Sequence, residues 1–293
     1  MDTTTGRPDV EPFYDPDSGT FSYVVRVPGD QAAIVDGVLD YSAPAASVRT
    51  HSADAILEHV RARKLDVRWI LETHAHADHL SAGAYLRDAL GARLAIGRGI
   101  VDVQQRFKQL FGLDHFVADG RQFDRLVDDG DILPLGEVGV RVLATPGHTD
   151  DSITYVVGDA AFIGDTLFAP DGGSARCDFP GGNSAKLYAS IQRIYALPAE
   201  TRLFLCHDYP PASRSAQAQT SIAAQRAGNT HVRDGVTEDD FVALRNARDA
   251  TLSPPRLILP AVQVNIRGGR LPDPDANGIA YLRLPINQIG APK

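Results

Sequence analysis

Side chains that could bind a metal ion recur at four places in this sequence. Residues 73–79 read Thr-His-Ala-His-Ala-Asp-His, and His148, Asp165 and His207 follow at wider spacing, so five of the nine histidines belong to one set. A lone histidine is more often a capping or surface residue than a ligand, but with histidine at ~2% of ordinary sequences an H-x-H-x-D-H run is a rare accident. Imidazole and carboxylate groups without a thiolate suit zinc, iron or manganese. The pattern therefore predicts a metal site.

The elements that precede these residues should bring them together. Each potential ligand follows an apolar, strand-like run, and one such run, residues 67–71, ends just before the first motif. Runs that are apolar almost throughout are typical of strands buried on both faces. We therefore expect the ligands to gather along one edge of a sheet.

Apolar periodicity predicts an α/β mixture for the rest of the chain. Strands are predicted at 22–27 and 32–36, and as a hairpin of 153–157 and 160–163 around Gly158-Asp159. Helices are predicted at 53–64, from residue 100 to residue 111, and at 184–197. A helical stripe of Ala82, Leu86, Ala89 and Leu90 also places His79 near a helix start. The polar stretch 41–50 is expected to be a loop. No internal repeat is visible.

Composition excludes several classes of protein. The chain has 293 residues, of which 43% are hydrophobic, enough for one large domain with at most a small appendage. The net charge is −8 and no block of lysine or arginine is present, which argues against binding to nucleic acid or to an anionic membrane. The first five residues lack the features of a secretory signal. With only two cysteines there is no disulfide framework. We expect a cytoplasmic enzyme.

The motifs resemble those of the metallo-β-lactamase superfamily over about residues 12–289. The finer match is to the persulfide dioxygenase branch, including bacterial β-lactamase hydrolase-like proteins. It rests on residues 72–80, 164–168, 175–179 and 255–260, and on Asn265 and Arg267. The resemblance implies an α/β fold of the αββα type, a four-layer sandwich of two mixed sheets flanked by helices. It also implies a catalytic domain at 12–228, with a C-terminal extension at 229–293 packed on the same domain.

The resemblance implies one of two metal arrangements. As in persulfide dioxygenases, one iron(II) would be held by His74, His148 and Asp165, a two-histidine, one-carboxylate triad that leaves positions for substrate and oxygen. The residues that would then orient these ligands are His76, Asp78, His79 and His207. As in glyoxalase II, two zinc ions would be held by the same seven residues, with His74, His76 and His148 on one ion, Asp78, His79 and His207 on the other, and Asp165 between them. The presence of these residues does not decide between the two.

The segment Ala-Arg-Cys-Asp-Phe at 175–179 favours the dioxygenase interpretation, because that branch carries a Gly-Arg-Thr-Asp-Phe element there. Arg176 is expected to form a two-bond pair with Asp178 and to brace the loop over the metal, the alternative being a surface ion pair. The loop is two residues longer than in mitochondrial-type enzymes. Cys177, which replaces a threonine, is interpreted as a buried residue rather than a reactive thiol.

Two further residues lie beside the motifs. Cys206 is expected to pack in the core. Tyr209 is a candidate for hydrogen bonding near the metal or the substrate, the alternative being an ordinary half-buried tyrosine.

Three functions follow from these interpretations. The first is a non-haem iron(II) dioxygenase that uses O2 to oxidise glutathione persulfide, or a related persulfide, to sulfite and thiol. The second is a binuclear zinc thioester hydrolase of the glyoxalase II type. The third is an inactive metal-binding sensor of sulfide or redox state, which the intact ligand set disfavours. The C-terminal residues favour the first, because they lack a basic helical tail of the glyoxalase II kind. Whether two copies form a homodimer stays open.

Overall fold

Six strands from the first half of the chain form one mixed sheet in the structure, which is a computed structural model and describes residues 7–289. In spatial order they are β1 (Asp9–Asp15), β2 (Thr20–Arg26), β3 (Gln31–Val35), β6 (Asp66–Leu71), β8 (Arg93–Gly97) and β9 (Arg125–Val127). The first three pair antiparallel, and the pairing is parallel from β3 onwards. The strands predicted at 22–27, 32–36 and 67–71 are confirmed as β2, β3 and β6.

The second sheet also has six strands. In spatial order they are β10 (Ile132–Leu133), β11 (Val140–Ala144), β12 (Ile153–Val157), β13 (Ala160–Phe162), β14 (Arg202–Phe204) and β15 (Gln219–Ser221). Only β13 and β14 pair in parallel. The predicted hairpin is confirmed, since β12 and β13 pair antiparallel across Gly158, whose φ of 56° suits a two-residue hairpin loop.

A small third sheet corrects one prediction. It consists of β5 (Ser47–Arg49), β4 (Val38–Ser42) and β7 (Leu80–Ser81). The interpretation of residues 41–50 as a loop was wrong. β4 and β5 pair antiparallel as a hairpin, because the pairing is between backbone atoms and does not require apolar side chains. The helix predicted after His79 is confirmed as Gly83–Leu90, which begins once Leu80 and Ser81 have paired with β4.

Seven helices complete the part of the chain that the structure describes. They are α1 (His51–Arg63), α2 (Gly83–Leu90), α3 (Ile100–Phe111), α4 (Ser184–Tyr195), α5 (Ile222–Gly228), α6 (Glu238–Asp249) and α7 (Ile258–Asn265). The predicted helices at 53–64, 100–111 and 184–197 are confirmed within a few residues at their ends. Between residues 7 and 289, no helix is long and apolar enough to cross a membrane.

Three hydrophobic cores divide the molecule into four layers. The central core lies between the two large sheets, where Tyr23 and Trp69 of the first sheet share a cluster with Tyr155 and Phe162 of the second. A second core packs α1, α2, α3 and α7 on the outer face of the first sheet. A third packs α4, α5 and α6 on the outer face of the second sheet. The predicted αββα sandwich is confirmed.

The C-terminal segment contacts both halves of the sandwich. The expected boundary after residue 228 coincides with the end of α5, and beyond it α6 packs against α4 while α7 packs against β7. Residues 290–293 of the expected extension, and the first five residues interpreted as lacking a signal, lie outside the described residues.

The potential ligands all follow strand ends. Residues 72–79 come after β6, His148 after β11, Asp165 after β13 and His207 after β14. These ends meet at one edge of the sandwich, as the apolar runs before the motifs predicted.

Candidate metal centre

The residues predicted to bind metal form two adjoining groups at this edge. His74, His148 and Asp165 are buried, and each offers a ligand atom within 4.8 Å of the other two. Nε2 of His148 lies 3.6 Å from Oδ2 of Asp165. The rings of His74 and His148 stand perpendicular, with centroids 5.1 Å apart. The three side chains therefore converge from three different loops on one point.

The second group contains His76, Asp78, His79 and His207, again with ligand atoms within 4.8 Å of one another. Nε2 of His207 lies 3.0 Å from Oδ2 of Asp78 and 3.4 Å from Oδ1 of Asp165. Asp165 therefore stands between the two groups and could contribute to either. The structure brings together all seven residues that the sequence indicated.

Unpartnered atoms show that these residues fit a metal ion. Buried side-chain atoms that lack a hydrogen bond include Nε2 of His74, His79 and His207, Nδ1 of His76, and Oδ1 of Asp165. Buried polar atoms almost always have a partner, so a cluster of exceptions at one point needs an explanation. Metal ligation supplies one, because each of these atoms is a lone-pair donor directed into the cluster.

The opposite nitrogens of the histidines are held by protein oxygens. Nδ1 of His148 donates to the backbone oxygen of Arg176 at 2.7 Å. Nδ1 of His74 lies 3.0 Å from Oγ1 of Thr73, and the hydroxyl of Thr20 lies 3.2 Å from Nδ1 of His207. Such partners fix the orientation and tautomer of a metal-binding imidazole, as is usual in metalloproteins.

Asp36 is a buried residue of the site that sequence reasoning missed. Its carboxylate accepts hydrogen bonds from the backbone and hydroxyl of Thr73, at 2.8 and 2.9 Å, and lies 3.1 Å from Nε2 of His76. It thereby fixes the start of the 73–79 loop. Burial raises the pKa of Asp36, against the opposing effect of His74. The only signal in the sequence was an aspartate at the end of an apolar strand.

A second missed carboxylate lies behind the same loop. Oε1 of Glu72 accepts a hydrogen bond from the hydroxyl of Ser81 at 2.7 Å, and Oε2 lies 3.7 Å from Nε2 of His76. Burial, reinforced by the nearby Asp36, raises the pKa of Glu72 to about 8. Two acidic groups thus support the metal-binding loop from inside the protein.

The histidines differ in charge. Burial, followed by the neighbouring imidazoles, lowers the pKa of His74 and of His76 well below the usual value, so both are neutral and carry a free lone pair. Burial also opposes protonation of His207, but Asp165 and Asp78 outweigh it and raise the pKa of His207. His74 of the first group is therefore neutral, whereas the two neighbouring carboxylates favour a positive charge on His207 in the second.

Arg176 forms the predicted two-bond pair. Its Nε and Nη2 donate to the two carboxylate oxygens of Asp178 at 2.5 and 2.6 Å. A third donor, Nη1, reaches the backbone oxygen of Ser253 at 2.8 Å, so the guanidinium ties the loop to the C-terminal segment. Arg176 contacts the ligand set through its backbone oxygen rather than its charge.

The structure also places the remaining candidates. The ring of Tyr209 stacks on His207, with centroids 5.7 Å apart and planes 7° apart, while the side chain stays 63% exposed. Tyr209 is therefore more exposed to solvent than an ordinary half-buried tyrosine. Cys206 is buried, and Cys177 is buried with a pKa raised to about 12 by burial and then by Asp249. Cys177 is thus a protonated core thiol, as interpreted.

Comparison with known proteins identifies the family. The metallo-beta-lactamase superfamily domain matches residues 15–207, which include all seven potential ligands. The chain therefore belongs to the metallo-beta-lactamase superfamily, and its histidine and aspartate cluster is a metal-binding site of that family's type.

Similar proteins carry different functional names. A probable metallo-hydrolase of Burkholderia pseudomallei is 51% identical over 96% of this chain and 99% of its own length. A beta-lactamase hydrolase-like protein of Agrobacterium fabrum is 49% identical over 96% of this chain, which spans only 65% of that relative. The human mitochondrial persulfide dioxygenase ETHE1 is 30% identical over 67% of this chain and 66% of its own length. The crystal structure of ETHE1 from Myxococcus xanthus superposes with a TM-score of 0.72 at 30% identity, covering 89% of this chain and all of that one.

Proposed function

We propose that this protein is a persulfide dioxygenase that uses one iron(II) and O2 to oxidise glutathione persulfide, or a related small persulfide, to sulfite and thiol. One persulfide, one O2 and one water give one thiol and one sulfurous acid, so atoms balance without a further reductant. The observation that carries the proposal is the His74, His148 and Asp165 cluster beside the Arg176 loop. It occurs in a chain that superposes on ETHE1 over that protein's whole length.

The donor chemistry of the cluster suits iron(II). Two imidazoles and one carboxylate form the ligand set of non-haem iron oxygenases, which leaves positions for both reactants. When bound, iron(II) would supply the activation of O2 and of the persulfide sulfur. The protein supplies the fixed directions of the ligands, through the backbone oxygen of Arg176 for His148 and the hydroxyl of Thr73 for His74.

The second group has a different role in this proposal. Oδ2 of Asp78 lies 3.0 Å from Nε2 of His207, and Oδ1 of Asp36 lies 3.1 Å from Nε2 of His76, so these residues shape the wall of the site. The exposed face of Tyr209, stacked on His207, offers a surface for the part of the substrate that does not react.

A binuclear hydrolase is the second candidate, and one specific observation favours it. His76, His79 and His207 each retain an unpartnered nitrogen, and Asp165 lies between the two groups as a bridging ligand would. The names of the bacterial relatives point the same way. Metal stoichiometry separates the two candidates.

The decisive experiment measures oxygen uptake and metal content together. Protein produced with iron should bind about one equivalent per chain, as a facial triad requires, and consume O2 when glutathione persulfide is added. Sulfite should appear in equal amount. The matched control is the same protein loaded with zinc, which should consume no oxygen. Two tightly bound zinc ions per chain with hydrolysis of a glutathione thioester, and no oxygen uptake by the iron form, would overturn the proposal.

A further inference from the structure

Helix α6 carries a buried ion pair one turn apart on the same face. Nε and Nη2 of Arg245 donate to Oδ1 of Asp249 at 3.0 and 2.7 Å. The side chains are only 3% and 7% exposed. Removing two charges from water is costly, and apolar residues of similar size would often stabilise a fold as well or better. The pair therefore calls for a role other than stability.

Both charged residues grip the loop that orients His148. Nη1 of Arg245 donates to the backbone oxygen of Ser174 at 3.0 Å, and Oδ2 of Asp249 accepts a hydrogen bond from the backbone nitrogen of Cys177 at 2.8 Å. These two anchor points flank Arg176, whose backbone oxygen holds Nδ1 of His148. An unbroken path of contacts thus runs from α6 through the loop to a potential metal ligand.

The path depends on a part of the chain outside the family domain. The match to the superfamily ends at residue 207, and α6 begins at Glu238. The family domain supplies His148 and its strand, but the residues that hold the 174–177 backbone come from α6. The seven potential ligands therefore do not by themselves fix the orientation of the His148 ring.

We propose that Arg245 and Asp249 are positioning residues of the metal centre. Together they hold residues 174–177 so that the Arg176 carbonyl keeps the proton of His148 on Nδ1. Nε2 of the ring is then left to face Asp165, 3.6 Å away. The inference rests on His148 being a metal ligand, as the proposed function assumes, and not on which reaction the metal carries out.

The test is metal affinity in Asp249→Asn, measured by competition with a chelator and without substrate. The amide has nearly the shape of the carboxylate but cannot neutralise Arg245 and accept from Cys177 equally well. We expect affinity for Co²⁺ and Fe²⁺ to fall roughly 10-fold, the lower end of the loss when a ligand's supporting partner is altered. The d–d absorption spectrum of the Co²⁺ form should change as well, because the direction of the imidazole changes.

Two comparisons make the result specific. The matched control is Asp234→Asn, which breaks the exposed pair with Arg226 on α5 and should leave metal affinity unchanged. If Asp249→Asn does not fold, the double variant Arg245→Met/Asp249→Leu removes both charges, so that no unpaired charge is buried. It should fold and show the same loss of affinity, because nothing then accepts from the Cys177 nitrogen.

Unchanged affinity and an unchanged Co²⁺ spectrum in a folded variant would overturn the positioning role. Because neither measurement uses a substrate, lack of dioxygenase activity in the unmodified protein would refute the proposed function and leave this test intact.

Discussion

Oδ2 of Asp78 lies 3.0 Å from Nε2 of His207, whereas Oδ1 of Asp165 lies 3.4 Å from the same nitrogen. The pKa of Asp78 is lowered well below its usual value. Burial alone would raise it, but His207 and then His79 outweigh that effect. The two side chains therefore lie within reach of each other, although Nε2 of His207 makes no hydrogen bond. Asp165 lies between His207 and His148, and this difference between two aspartates at one site leads to the first prediction.

Asp165→Ala should abolish metal binding and activity, whereas His207→Ala should keep most of the metal. Asp165 is the only carboxylate of the first group, while loss of a supporting residue typically costs about 10–100-fold in affinity or activity rather than the whole site. Metal content of the purified variants, measured by elemental analysis, distinguishes the two outcomes. Equal and complete loss of metal in both variants would contradict a single-metal site.

Arg176→Lys should reduce turnover and leave the metal content close to normal. Lysine keeps the positive charge but cannot make the two-bond fork to Asp178 together with the third bond to Ser253. The backbone oxygen that holds His148 remains. Steady-state kinetics and metal analysis on the same preparation measure the two effects separately.

A matched control for this variant is Arg98→Lys, which breaks an exposed two-bond pair with Asp128. Both residues are distant in sequence from the loop that carries Arg176. Its kinetics should equal those of the unmodified protein. If Arg176→Lys is equally silent, the Arg176 side chain is only a surface charge.

Asn265→Asp should destabilise the 73–79 loop. Nδ2 of Asn265 donates to the backbone oxygens of both His76 and His79 at 2.8 Å, while Oδ1 accepts from the backbone nitrogen of Ser81 at 2.7 Å. A carboxylate would set a negative oxygen against two carbonyls. Because burying an unsatisfied group costs about 1–3 kcal/mol, and a charged one more, the free energy of unfolding should fall by at least about 2 kcal/mol.

Urea unfolding measures this loss, and Asn277→Asp is the control. Asn277 is exposed and donates only to the hydroxyl of Tyr281, so its replacement should change stability little. The same small effect in both variants would mean that Asn265 does not hold the loop.

His231 should make the protein sensitive to acid. Its Nδ1 accepts a hydrogen bond from the backbone nitrogen of Ser174 at 2.9 Å, and burial, followed by Arg245, lowers the pKa of His231 to about 4. The pKa of a histidine in an unfolded chain is about 6.5. On acidification, the unfolded chain therefore binds this proton at a higher pH than the folded protein does. The stability that neutral His231 contributes is fully present above about pH 6.5 and is lost as the pH falls through about 4.

His231→Gln keeps an acceptor but removes the titration, so melting temperature should fall less between pH 7 and pH 5 than in the unmodified protein. All other titratable groups are the same in the two proteins, so their contributions cancel in the comparison. Parallel falls in melting temperature would show that His231 does not contribute to acid sensitivity.

The sequence indicated the residues that cluster at the candidate metal centre because their signal is local. Residues 73–79 carry their spacing within one loop, and apolar runs mark the strands before each later ligand. Asp36 and Arg245 gave no such signal, since each acts through contacts with residues far away in the sequence. The hairpin at 41–50 was missed because its strands pair through backbone atoms, to which side-chain polarity is a poor guide.

The position of α6 and α7 behind the ligand loops bears on the order in which the protein is made. All seven potential ligands have been synthesised by residue 207, but Arg245 and Asn265, which hold the loops of His148 and His76, emerge from the ribosome later. Domains fold as units during synthesis, with the N-terminal parts available first. The nascent chain therefore has all seven potential ligands before it can hold them in place, and the candidate metal centre reaches its final geometry only after α6 and α7 have docked.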